Sequence, residues 1–162
     1  MPSNQPSNAY LRAHGNLKTI VVLVAIYGTC MVMLGRSVAM PLFDGLGFGP
    51  NSKGLNSEAI DYCIFMFGVL GAVIVGWMTL MWNVLQHLAI HSDPSVRTLA
   101  RKSLIFSTAT WFVLDTGYSI AIHEYEHAAF NFPFVTSLAI PLYLMSNADY
   151  YLLSSTTTKK KE

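Results

Sequence analysis

The run Ile120–Phe130, IAIHEYEHAAF, brings His123, Glu124, Glu126 and His127 within five residues. Its HEYEH core fits the H-E-x-x-H spacing of zinc hydrolases. On a helix, two histidines four apart point the same way and can ligate one metal, and Glu124 would serve as general base on the metal's water. A third ligand would have to come from elsewhere, and Glu58 or Asp61 are the candidates. Against the metal, the pattern is short and no third histidine or glycine extends it. Pro133 follows closely, and AAFNFPF reads as a turn into the next segment. Solvated loop histidines and glutamates account for the same residues.

Three charges lie in apolar surroundings: Arg36, Asp61, and Asp115 in WFVLDTGYS. An ionisable group at membrane depth is costly and calls for a partner or a task. Arg36 facing Asp61 or Asp115 would make an ion pair that fixes helix register. The same residues would equally build a polar pocket in which a carboxylate binds a ligand or works as an acid or base. Asp115, Ser119, His123 and His127 recur every four residues, so a continued helix would carry them as one stripe. His87 and His91 stand on one helix and cannot sandwich a haem, and interfacial polar residues are the simpler account.

The elements that hold these residues follow from composition. Of 162 residues, 52% are apolar and 12% charged, against about 25% charged in soluble domains. So few charges cannot build a water-facing surface, and a lipid bilayer is the expected surrounding. A net charge of +1 gives no case for a nucleic-acid partner. Cys30 and Cys63 lie in apolar runs and read as packing residues rather than a disulfide.

A membrane span needs about 20 apolar residues in a helix. Four stretches qualify: 19–43, 59–88, 99–122 and 129–153. Residues 1–18 read as a disordered tail and 154–162 as a basic tail. Arg12 and Lys18, then Arg97, Arg101 and Lys102, then Lys159, Lys160 and Lys161 all fall on one side of such a topology. The intervening loops hold Asp44, Lys53 and Glu58, and Glu124 with Glu126. The positive-inside rule then places both termini in the cytoplasm. The expected fold class is all-α: an integral membrane four-helix bundle. Gly68, Ala72 and Gly76 share one face of the second span and would let another helix approach closely, within the chain or from a second one. Pro141 would kink the last span.

The C-terminal TTTKKKE resembles the dilysine retrieval signal of eukaryotic endoplasmic reticulum membrane proteins. In a bacterium the same tail would only set topology in the inner membrane. The runs GVLGAVIVGW, WFVLDTGYS and AIPL resemble a pattern in small four-span membrane proteins of bacteria and fungi that have no assigned activity. The likeness covers spans two to four, a little over half the chain. It implies the four-span fold and marks Asp115 as a characteristic position; HEYEH lies outside it.

Three functions fit these residues. The leading one is a polar site of Arg36, Asp61 and Asp115, with Ser119, that binds a lipophilic or amphiphilic small molecule or a membrane-protein partner. No cofactor is then expected. The second is a membrane hydrolase with zinc on His123 and His127 and Glu124 as base; Asp115 is the acid or base candidate of the polar site. The third is a structural assembly subunit that packs through Gly68, Ala72 and Gly76.

Overall fold

A computed structural model describes residues 5–37, 40–41, 57–123 and 125–158, with the side chains of Ser57 and of 150–158 outside that description. Phe43, Asp44, Lys53, Glu124 and Lys159, Lys160 and Lys161 therefore lie outside the described residues. Among the described residues the chain is all helical. Helix α1 is Asn8–Leu34, and α2 is Ser57–Asn83, continued by a π-helical turn over Val84–Leu88. Helix α3 is Pro94–Ala121 and α4 is Tyr125–Thr158. Three helical stretches, Asn8–Leu34, Glu58–Leu88 and Tyr125–Asp149, are long and apolar enough to cross a membrane. Helix α3 matches them in length at 28 residues, but Arg97, Arg101, Lys102 and Asp115 dilute its apolar character. Large apolar side chains face outward, with Met33, Phe106 and Phe130 each more than 70% exposed.

Helix α1 starts well before the expected span. Ser7 caps it, its hydroxyl accepting from the Tyr10 N–H at 3.2 Å. Tyr10, Ala13, Leu17 and Val21 then follow at helical spacing and are buried. Asn8–Lys18, expected as part of a disordered tail, is therefore helix. Polar composition concealed an amphipathic face, since one apolar residue per turn suffices to dock a helix. At the other end, Gly35 takes a left-handed φ of 34° just past Leu34, the usual way a helix is stopped. Arg36 stands beyond that stop rather than inside α1.

The start of α3 is set by Asp93, whose Oδ1 accepts from Ser95 N–H at 2.8 Å, with Pro94 at the first helical position. The turn into α4 falls at Ile122 and His123, not at the AAFNFPF run where the sequence suggested it. Helix α4 is already formed at Tyr125 and carries Pro133 and Pro141 inside it. Each proline removes one backbone hydrogen bond, at the carbonyls of Ala129 and Ser137.

The chain forms two compact units, Val21–Leu80 and the combination of Met1–Ile20 with Met81–Glu162. In the first, Met31 and Phe67 form a core with Ile64 and Ile74. Gly28 and Gly71 meet there backbone to backbone. A Cβ on Gly28 would lie 2.9 Å from the Gly71 carbonyl oxygen, and one on Gly71 would lie 2.7 Å from the Gly28 oxygen. Small residues do bring these helices together, but at Gly71 rather than along Gly68, Ala72 and Gly76. Among the described residues, none outside the helix's own neighbouring backbone lies within 4 Å of a Cβ built at Gly68 or Gly76. Cys30 and Cys63 are free thiols.

In the second unit α3 and α4 pack antiparallel. Their cross-contacts form a ladder from Arg101 with Asp149, through Trp111 with Phe134 and Phe112 with Phe132, to Thr116 with Asn131. The start of α1 docks on the π-helical turn. There the i−5 bond from Ala89 N–H to Val84 O, 2.9 Å, interrupts the ordinary ladder. Carbonyls near that interruption accept from α1: Tyr10 Oη–H donates to Ala89 O at 2.5 Å, and His14 Nε2–H to Leu85 O at 2.9 Å.

Candidate functional site at the turn between α3 and α4

Two polar clusters lie at opposite ends of the α3–α4 ladder. At the end nearer the chain termini, Arg97, Arg101 and Asp149 are 3%, 7% and 1% exposed. Arg97 donates from Nε and Nη2 to the two Asp149 oxygens, both at 3.4 Å. Arg101 donates from Nη1 to Asp149 Oδ2 in a short contact, and also to the Met145 carbonyl at 3.3 Å. Arg97 Nη1 reaches the carbonyls of His91 at 2.8 Å and Ser92 at 3.3 Å. Both guanidinium carbons lie within 6 Å of the fully buried Tyr10 ring, at 5.9 and 5.8 Å. One buried carboxylate thus joins two guanidiniums, and carbonyls satisfy further donors. Charges this well covered hold four chain segments together and offer no access to a ligand.

At the other end the cluster is open. Asp115 sits late on α3 with its side chain 34% exposed, and His127 in the first turn of α4 is 52% exposed. His127 Nε2–H donates to Asp115 Oδ2 at 3.1 Å. Asn131, one helical turn further on and only 3% exposed, donates to the same oxygen at 2.6 Å and to Thr116 Oγ1 at 3.1 Å. Because an ionised carboxylate only accepts, the hydrogen bond to it places a proton on His127 Nε2. Ser119 is buried and donates to the Asp115 backbone carbonyl at 2.7 Å. It braces the helix and does not reach the carboxylate.

The residues singled out from sequence distribute as follows. Asp115 and His127 come together, with Ser119 one turn from Asp115. Arg36 pairs with Asp61 at 3.4 Å, and their side chains are 66% and 67% exposed. Ion pairs so open to the surroundings contribute little. The single helix that would set His123 and His127 one turn apart ends at Ala121. His123 occupies the turn with φ 66°, in the left-handed region that favours glycine. A hydrogen bond of 2.9 Å between its Nδ1 and Tyr125 Oη holds it there. Glu124 lies outside the described residues. Among the described residues no group of three His, Cys, Asp or Glu side chains is placed to hold a metal ion.

Sequence reasoning missed Asn131 and Asp149. Asn131 was hidden in the run read as a turn. Asp149 was hidden near the end of an apolar span, and Arg97 and Arg101 were weighed only as topology charges. The usable signal was spacing: Arg97 and Arg101 are four apart and share a helix face, and a lone aspartate in an apolar helix needs a cation. No family model, curated protein or solved structure matches the chain.

Proposed function

We propose that the chain is a four-span integral membrane protein with both termini in the cytoplasm, whose Asp115–His127–Asn131 site on the outer side binds a lipophilic or amphiphilic small molecule. Helix α3 serves as the fourth span: its 28 residues give a length of about 42 Å at the helical rise, enough for a hydrocarbon core of about 30 Å. Its arginines do not oppose this, because Asp149 covers both. Arg12, Lys18 and Lys102 remain as exposed or half-exposed charges for the cytoplasmic side.

One observation carries the binding reading. Asp115 is a half-open carboxylate held in place by two α4 side chains, among exposed apolar residues such as Leu114, Tyr118 and Phe130. A group kept rigid but left accessible suits a ligand better than a fold contact. Native mass spectrometry of the protein purified in mild detergent tests it. A small apolar molecule should be retained by wild type and lost in Asp115→Asn of unchanged helicity. Equal retention by the two proteins, or none by wild type, defeats the reading. Topology is checked separately. Cysteines placed at Lys102 and Glu126 in sealed vesicles should react with an impermeant reagent from opposite sides.

A further inference from the structure

We infer that the ligand's head group is a protonated amine, so that the site selects cationic amphiphiles; this rests on the binding reading above. The first observation is charge. From Ser103 to Thr158 the sequence has no lysine or arginine. The ionisable side chains described around the α3–α4 turn are Asp115, Tyr118, His123, Tyr125, Glu126 and His127. Two are carboxylates, and the fixed cations of α3, Arg97, Arg101 and Lys102, stand three turns or more away toward its start, the first two paired with Asp149. An anionic head would meet repulsion here, with no guanidinium or ammonium beside it among the described residues of α3 and α4.

The second observation is hydrogen-bond polarity. Every donor at the carboxylate is already spent: His127 Nε2–H and Asn131 Nδ2–H both point at Asp115 Oδ2. Among the described residues no hydrogen bond reaches Asp115 Oδ1 or His127 Nδ1. The carboxylate thus keeps Oδ1 as an open acceptor, and the donors aimed at it are engaged. An alkylammonium presents three N–H donors and one positive charge. One of them would reach the open Oδ1, and its charge would neutralise a carboxylate that is otherwise expensive in a bilayer. Charge-assisted hydrogen bonds of this kind are roughly twice as strong as neutral ones.

The third observation is the layer beneath. One turn from Asp115 toward the middle of α3, Trp111 packs edge-on against Phe134 with centroids 5.0 Å apart, and Phe112 against Phe132 at 5.2 Å. Aromatic rings attract a cation electrostatically and accept an alkyl chain. An acidic, donor-depleted rim over an aromatic layer is complementary to an amine on an apolar chain.

The chain has three tryptophans. A Trp77→Phe/Trp82→Phe protein in lipid nanodiscs leaves Trp111 as a fluorophore one turn from the site. The probes are brominated dodecylamine, dodecanol and dodecanoate, whose bromine quenches on contact. Saturable quenching by the amine is expected at concentrations about tenfold or more below those needed for the alcohol, the difference a hydrogen bond to a charged group supplies. The carboxylate should be weakest. Asp115→Asn should bring amine and alcohol together, and Asp61→Asn should leave the preference intact. Equal quenching by amine and alcohol in wild type would overturn the charge selectivity while leaving amphiphile binding standing. No saturable quenching by any of the three would remove the binding reading itself. The wild-type comparison decides both points even if Asp115→Asn fails to fold.

Discussion

The two ends of the α3–α4 ladder use similar chemistry for opposite ends. Each places an aspartate between nitrogen donors from a facing helix. At one end Asp149 is 1% exposed and serves two arginines that are themselves buried. At the other, Asp115 keeps a third of its side chain open and serves a histidine and an asparagine. A sealed carboxylate has its energy committed to the fold, because removing it strands two charges without water. An open one retains free lone pairs and a route to them. Access, not residue type, separates a clasp from a site.

The sharpest way to break this contrast is Asp149→Asn. It leaves Arg97 and Arg101 buried without a counter-charge, and a loss of about 3–5 kcal/mol is expected. Thermal unfolding in detergent measures it; a change under about 1 kcal/mol would show that the cluster is hydrated and not sealed.

The same opposition of covered and open positions exists among the glycines of α2. Gly71→Ala would push a methyl to 2.7 Å from the Gly28 oxygen and the Met31 Cβ, for a cost of about 1–3 kcal/mol. Gly68→Ala meets nothing within 4 Å and should gain about 0.5–1 kcal/mol from helix propensity. A loss at Gly68 instead would reveal a neighbour pressed against that face.

Asp115→Asn should change stability by less than about 1 kcal/mol, since the new amide oxygen can still accept from buried Asn131 and His127 stays half-exposed, while ligand retention falls. Paired unfolding and retention measurements on this variant and on Asp149→Asn should give opposite patterns.

The smallest effect concerns Asp93, fully exposed at the start of α3. The Ser95 backbone N–H, then the Ser95 hydroxyl, hold its carboxyl below the ordinary aspartate range. Its contribution is therefore present above the unfolded-state value and is lost as pH falls through the folded one. Wild type should melt slightly above Asp93→Ala at neutral pH, and the two should converge in acid.

Much of the helical plan was legible from sequence. The stretch ending at Leu88 follows from an unbroken apolar run, and Asp93-Pro94 announces the next helix by its cap. The start of α1 was not legible from composition, because Asn8–Lys18 is polar on average and apolar only on the face of Tyr10, Ala13 and Leu17. Asp115 stood out because a carboxylate in an apolar helix is rare. Its partners did not, because Asn131 lies in a run whose proline suggested a turn, yet Pro133 is accommodated within α4. HEYEH drew attention through spacing that only an unbroken helix would make meaningful, and α3 stops short of it.

The separation along the chain between Asp149 and its arginines, 52 residues from Arg97 and 48 from Arg101, has a consequence for synthesis. A ribosome delivers both guanidiniums long before the carboxylate that neutralises them. Until α4 folds back, the nascent protein carries two uncompensated positive charges on α3. A chain cut before Asp149 would keep both guanidiniums without the carboxylate that covers them.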